Sequence, residues 1–385
     1  MSREDHKRLG DYIREVDVRN RELKVTNLLG LSVSKEFMPS IANTIGTDMS
    51  AYKIVERNQL VYIADTSRRG DKIAISLLDK YDNAIVSQAY TVFEVVDHEQ
   101  LLPEYLMMWF RRPEFDRYAR FHSHGSAREI FDWSEMCDVI LPIPSIERQR
   151  EIVAEYETLS KRIRLNEQMI SKLEETAQTL YRKMFVDGID KENLPDGWRM
   201  GKIFDFGEVV TGKTPSSENP EDFGEKMPFV TPGDFSNYKK FAIGAERMLS
   251  EIGTNRLKNK ILQKGSIIVT CIGSDMGKVA IVSENCITNQ QMNSIVVNRS
   301  EFSDYLFYVL SLMSNELKSM ALGSSTMPML NKSDFERIPI VIPPYELLKD
   351  FSESVNAENN MIILKTKEIN ILTELQSLLL ARMGK

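Results

Sequence analysis

The chain is built twice. Two long segments match at one constant offset of 199 (Glu147 against Glu346): one runs from Ile143-Pro144 to near Phe185, the other from Ile342-Pro343 to Lys385. Within them Ile163 aligns with Ile362, Ile170 with Ile369, Leu173 with Leu372, Leu180 with Leu379 and Met184 with Met383. Similarity at a fixed offset means one architecture used twice, which excludes most single-domain folds. The preceding regions match more weakly but in order. Leu9-Gly10-Asp11-Tyr12 resembles Ile203-Phe204-Asp205-Phe206, Asn83–Gln88 resembles Asn285–Gln290, Tyr105-Leu106 matches Tyr305-Leu306, and Gly125-Ser126 matches Gly323-Ser324. The plan is variable domain, long helix, variable domain, long helix. Its divisions are 1–143, 144–186, a linker 187–199 marked by Pro195 and Gly197, 200–343, and 344–385.

From Tyr156 the apolar positions Leu159, Ile163, Ile170, Leu173, Ala177, Leu180 and Met184 follow heptad spacing. The slot left open is filled by Asn166, and by Lys365 in the second copy, whose seam continues through Ile362, Ile369, Leu372 and Leu379. A polar seam residue costs stability and can fix register; the alternative is a surface helix with one exposed slot. Each helix opens after proline and runs about 40 residues, or ~60 Å. The second has further apolar positions off its seam (Met361, Ile363, Leu364, Ile371, Leu375, Leu378), so it should meet the first helix and also offer surface to another protein. The variable domains read as short strands at Gln59–Ala64, Lys72–Leu77, Ala84–Glu94, Ser266–Ile272, Lys278–Ser283 and Ile287–Asn298, each domain with a short helix, Pro103–Phe110 or Ser303–Leu312.

Three motifs point toward chemistry. Gly207-Glu-Val-Val-Thr-Gly212-Lys213-Thr214 satisfies a phosphate-loop pattern, but Pro215 and Pro220 forbid the helix whose N-terminal amides such a loop needs. Ile342-Pro343-Pro344-Tyr345 echoes the NPPY-type motif of adenine methyltransferases, yet isoleucine cannot accept a hydrogen bond from an exocyclic amine. His122 and His124 have no partner at ligand spacing. Cys137, Cys271 and Cys286 show no CxxC spacing, which fits a reducing cytoplasm without a disulfide framework or zinc site. No signal peptide or membrane-length apolar run is visible. The sequence argues for recognition, with no catalytic and no metal-binding residues to nominate.

The net charge of −7 argues against nucleic acid at face value. Divided along the chain it is thin, and the basic residues are bunched: Arg68-Arg69, then Arg111-Arg112 with Arg117 and Arg120, Lys239-Lys240, and Arg256 with Lys258, Lys260 and Lys264. A local positive face binds phosphates whatever the total, because charges beyond ~8–10 Å are screened. Polar residues suited to base edges or phosphates accompany them. In the first copy these are Thr66, Ser67, Arg68, Arg69, Ser87, Gln88, Tyr90 and Arg128; in the second, Lys239, Lys240, Thr270, Ser274, Lys278, Asn289, Gln290, Gln291, Ser324, Ser325 and Thr326. Ser87-Gln88 and Asn289-Gln290 occupy equivalent places in the repeat.

The doubled order resembles the specificity subunit of type I restriction-modification systems over essentially the whole chain. The carrying residues are Leu9-Gly10-Asp11 and Ile203-Phe204-Asp205; Thr211-Gly212-Lys213-Thr214-Pro215, similar to the family's GxTP turn; Gly323-Ser324-Ser325-Thr326; and the helix starts Leu141-Pro142-Ile143-Pro144-Ser-Ile-Glu147-Arg-Gln149 and Ile340-Val-Ile-Pro343-Pro-Tyr-Glu346. The second start has Leu347-Leu348 where the family usually shows Gln, and the first domain lacks a GxTP turn. The resemblance implies an α+β protein: two mixed α/β target-recognition domains separated by two long helices forming an antiparallel coiled coil, a pseudo-two-fold internal repeat. It implies that each domain reads one half of a bipartite, asymmetric site in double-stranded DNA, with the helices as a ruler. Two methyltransferase subunits and restriction/translocase subunits are the implied partners. S-adenosylmethionine, ATP and Mg would be bound by those partners and none by this chain, in the cytoplasm. Two other readings compete: a P-loop nucleotide-binding protein centred on Lys213, and a coiled-coil scaffold with two protein-binding domains.

Overall fold

The structure is a computed structural model and describes residues 6–384, apart from 41–45, 67–69, 71, 126–128, 274 and 322–328. The chain is mixed α+β and forms two compact units, one made of Met1–Ile163 with Ile371–Lys385, the other of Arg164–Asn370. Both units are closed in the same way. The first strand of each repeat pairs antiparallel with the strand just before its long helix: His6–Arg8 with Ile140–Pro142, and Arg199–Lys202 with Pro339–Ile342. The Leu-Gly-Asp and Ile-Phe-Asp motifs are the 3-10 turns that follow these first strands. Their leading side chains, Leu9 and Ile203, are fully buried, and their amides donate to Val139 O (2.8 Å) and Ile338 O (3.2 Å). The repeated tyrosine completes the closure, because Tyr105 Oη donates to Pro142 O (3.1 Å) and Tyr305 Oη to Val341 O (2.5 Å).

In unit 1 a four-stranded antiparallel sheet has the order Ile13–Val16, Thr91–Val95, Leu60–Ile63, Ala74–Leu77. In unit 2 a five-stranded sheet has the order Gly207–Thr211, Met292–Val297, Ile267–Thr270, Val279–Val282, Phe241–Ala242, with only the last pair parallel. Two expected long strands are each broken by a turn. Ala84–Glu94 divides into Asn83–Val86, which pairs with Lys53–Glu56, and Thr91–Val95 in the main sheet. Ile287–Asn298 divides into Ile287–Thr288, which joins Phe223–Val230, and Met292–Val297. In both repeats the chain changes sheets at this turn. Each repeat has a second short helix, Pro113–Phe121 and Ser314–Ala321, beyond the one expected.

The long helices span Ile146–Phe185 and Tyr345–Arg382. They pair antiparallel inside each unit. In unit 1, Ile152, Val153 and Tyr156 share a core with Leu379, Leu380 and Met383, and Gln376 Nε2 donates to Ser160 Oγ (2.7 Å). In unit 2, Ile170, Leu173, Leu180 and Tyr181 share a core with Phe351, Val355, Ile362 and Ile369. Leu159, Ile163, Leu372 and Lys365 are half-buried. Lys365 pairs with Glu368 at 2.8 Å. Met361, Leu364, Ile371, Leu375 and Leu378 form an exposed stripe beside the seam of the second helix, each at least 40% exposed.

The two helix starts differ at one position for a physical reason. Gln149 is fully buried; its Oε1 accepts from Leu102 N–H (2.9 Å), and its Nε2 donates to Gln100 O and Pro144 O. Leu348, the residue at the same place in the second copy, packs in the unit 2 core. There the helix Phe302–Leu312 takes its first amide bonds locally, Phe302 N–H to Arg299 O and Ser303 N–H to Ser300 O, so the glutamine has no task.

Asn166 is 3% exposed, and its Nδ2 has no hydrogen-bond partner among the described residues. A buried amide donor without a partner costs about 1 kcal/mol or more. Asn166→Leu should therefore raise the stability of the chain by about 1 kcal/mol in denaturant unfolding while loosening the register of the helix pair. A destabilised variant would show that the amide is satisfied in solution.

Candidate nucleic-acid interface

The sheet-switching turns hold the exposed polar residues. In unit 1, Tyr90 N–H donates to Ser87 O (3.0 Å) and Ala89 N–H to Ser87 Oγ (3.3 Å), which leaves Gln88 exposed at the tip. Tyr90 packs its ring on the small core beneath. In unit 2 the turn is tied more tightly. Asn289 Oδ1 accepts from Gln291 N–H (3.1 Å), its Nδ2 donates to Gln291 Oε1 (2.9 Å), and Gln290 remains exposed. A glutamine amide offers a donor and an acceptor side by side, the pattern that adenine matches in the major groove.

The Thr211–Pro215 segment lies across this second turn. Lys213 N–H donates to Thr288 O (2.9 Å), Gly212 N–H to Met292 O (3.2 Å), and Thr214 Oγ1 to Gln290 Oε1 (2.5 Å). Gly212 is required by space alone: a Cβ there would stand 2.2 Å from Asn289 O and 2.3 Å from Thr288 O. The same bonds remove the P-loop reading. Gly207–Thr211 is a strand, and the amides of Gly212 and Lys213 are spent on protein carbonyls. Residue chemistry alone does not single out Thr214, although the GxTP pattern marks its position.

Four nominated residues are corrected by burial. Thr66 is 1% exposed, and its Oγ1 bonds Ser123 Oγ (2.9 Å) and Glu129 O (3.2 Å). Thr270 is fully buried; its Oγ1 bonds Asp275 O and accepts from Lys278 N–H, which holds the loop before Lys278 in place. Asn289 is 8% exposed, with both sides of its amide engaged as above. Lys240 is 1% exposed, pairs with Asp304 at 2.7 Å and lies 4.8 Å over the Tyr308 ring. Burial holds its ammonium below the ordinary lysine range. These four side chains position the surface and cannot touch a duplex themselves.

Among the rest, Lys239 is exposed, Lys278 is partly exposed and paired with Asp275 at 2.7 Å, and Gln291 and Ser87 are partly exposed. Ser67, Arg68, Arg69, Arg128, Ser274, Ser324, Ser325 and Thr326 lie outside the described residues. Two of those stretches have neighbouring anchors: Thr66 N–H donates to Glu129 O (3.0 Å), and Asp65 bridges Ile130. The basic bunches are less free than their spacing suggests. Arg112 is buried with its guanidinium 4.1 Å over Trp109, Arg117 pairs with Glu114, Arg120 with Glu129, and Arg256 with Asp222 and Glu221. His122 and His124 both face Glu135, at 3.0 and 3.6 Å. No group of three or more His, Cys, Asp or Glu able to hold a metal occurs among the described residues.

Residues 35–175 and 195–374 match the family model described as the type I restriction modification DNA specificity domain. The chain is 25% identical over 414 aligned positions to the type I restriction enzyme HindI specificity subunit of Haemophilus influenzae, covering 89% of each. It is 32% identical over 189 positions to the MjaIX specificity subunit of Methanocaldococcus jannaschii, covering 48% of this chain and 43% of that one. The fold is similar to the crystal structure of a type I restriction-modification S subunit from M. genitalium, with a TM-score of 0.65, 13% identity, and coverage of 99% and 96%.

Gly212→Ala should displace the Thr211–Pro215 segment and cost roughly 1–3 kcal/mol, the usual penalty for overpacking. A thermal melt checks the stability, and loss of the Thr214–Gln290 contact should appear as weakened binding of the duplex target. An alanine variant with unchanged melting and unchanged binding would disprove the close approach.

Proposed function

Because the chain belongs to the type I restriction modification DNA specificity domain family, whose role is DNA recognition, we propose that it reads a bipartite, asymmetric duplex target, one half per compact unit. The observation that supports this most is the repeated sheet-switching turn. Two units with different sheets and different loop lengths both present an exposed glutamine, Gln88 or Gln290, at the equivalent place. The clasp and the helix seam are preserved between the repeats for folding, but an exposed glutamine at the tip of a turn has no packing to serve. The long helices act as the ruler between half-sites in this reading.

The chain is a recognition subunit without chemistry of its own. Methylation, translocation and cleavage belong to two methyltransferase subunits and to restriction/translocase subunits, which carry S-adenosylmethionine, ATP and Mg. The one stretch of this chain with a nucleotide-like pattern, Gly207–Thr214, does not fit a phosphate, because its amides are already bonded. The exposed apolar stripe Met361–Leu378 favours docking of the partner subunits on the second helix. No described helix is long and apolar enough to cross a membrane; a cytoplasmic location is part of the proposal.

Exchanging residues 1–143 for those of a relative should change one half of the methylated sequence and leave the other intact, as read by genome-wide methylation mapping. Change in both halves, or in neither, would reject the modular reading. Gln88→Ala should weaken binding at the first half-site by roughly 1–3 kcal/mol, the range for a lost bidentate base contact. Equal affinity for duplexes altered in the first half would count against Gln88 as a reader.

A further inference from the structure

Unit 1 contains a cleft of ≈ 410 Å³ in which positive charge is left over. Lys35, Lys72 and Arg111 line it beside a single carboxylate, Asp116. That carboxylate is already engaged inward: it pairs with Lys35 Nζ at 2.8 Å and accepts from Ile73 N–H at 3.2 Å. Lys35 is 4% exposed, and its Nζ also donates to Phe110 O. Its backbone sits in the left-handed region (φ 65°), a conformation costly for a lysine and kept only where the fold over-determines it. Lys72 is exposed and makes no ion pair among the described residues. Arg111 turns one nitrogen to Tyr156 Oη (3.3 Å) and has no carboxylate partner among the described residues. Both cations lie close enough to Lys35 to push its ammonium down, in addition to the larger effect of burial.

Unit 2 also buries a lysine, at a different place in its repeat, and there the charge is met by carboxylates. Lys240 is surrounded by Asp304 at 2.7 Å, Glu174, whose Oε1 accepts from Lys240 N–H at 3.3 Å, and Glu358. Asn359 Nδ2 in turn donates to Asp304 at 2.9 Å. The repeat position of Glu174 in the second helix is Thr373, which lines the cleft of unit 1. At this helix position one copy has a carboxylate, and the other has a hydroxyl beside Lys72 and Arg111. We propose that the unit 1 cleft binds a phosphate group, held by Lys72 and Arg111 at its mouth over the Lys35–Asp116 pair, with Thr373 as a hydroxyl donor. A phosphate carrying one or two negative charges matches the surplus. Its source is either the backbone of bound DNA or a free phosphate-bearing small molecule.

The test uses the full wild-type chain and two variants: Lys72→Gln/Arg111→Gln, and Thr373→Glu, which supplies the carboxylate found at the same helix position in the other repeat. The first arm follows melting as inorganic phosphate replaces chloride at constant ionic strength. The second follows duplex binding across a salt series. If the free ligand is the source, phosphate raises the wild-type melting temperature saturably, the variants do not respond, and duplex affinity is unchanged. If DNA is the source, both variants bind the duplex roughly tenfold more weakly. The slope of log affinity on log salt then shrinks by about one. Variants that match wild type in both arms, with Thr373→Glu folded as judged by its melt, overturn the proposal. A wild-type chain that ignores duplex DNA yet responds saturably to phosphate would reject DNA recognition and leave the cleft standing.

Discussion

The rest of each unit depends on a three- or four-residue strand pairing. His6–Arg8 against Ile140–Pro142, and Arg199–Lys202 against Pro339–Ile342, bring the first residues of a variable region next to the last ones before its long helix. Closing a loop of this length is costly in entropy, but the cost grows only slowly with loop length. The variable region can therefore differ between repeats, as the four- and five-stranded sheets do, while the clasp stays constant. Buried Leu9 and Ile203 and the hydroxyls of Tyr105 and Tyr305 lock it. A recognition surface can change its loops on such a base without losing the angle at which the helix leaves.

The repeat made the architecture legible. Heptad spacing located both helices to within a few residues, because a seam needs the same residue types wherever it occurs. The motif pairs Leu9-Gly10-Asp11 and Ile203-Phe204-Asp205 were visible as similarity, but their physical role as closing turns was not, since their partners Val139 and Ile338 are far along the chain. The two broken strands look continuous in the sequence because β-branched residues run on through them. Nothing local in Ser87–Tyr90 or Asn289–Gln291 announces that the next strand will join a different sheet.

The candidate site was half legible. The equivalence of Gln88 and Gln290 came from the repeat, and both are exposed. Thr66, Thr270, Asn289 and Lys240 have side-chain chemistry that suits a nucleic acid equally well when it serves the protein's own backbone, and composition cannot separate the two uses. Charge shows the same limit. Arg112, Arg117, Arg120 and Arg256 are bunched in sequence, yet each finds a ring or a carboxylate once folded. The cations left over are those whose would-be partners are absent from the fold, and sequence counting cannot find them.

The division of the helices has a consequence for synthesis. Unit 2 is a single continuous stretch, Arg164–Asn370. Unit 1 takes part of its core from Leu380 and Met383, which lie in the same cluster as Leu9 and Phe93. The domain that leaves the ribosome first is thus the last to be able to complete its packing, and an apolar edge around Ile152 and Val153 must wait uncovered while the second unit is made. Such a chain gains from anything that shields that edge during translation, and a truncation of a few residues at the far end would damage the domain encoded at the start.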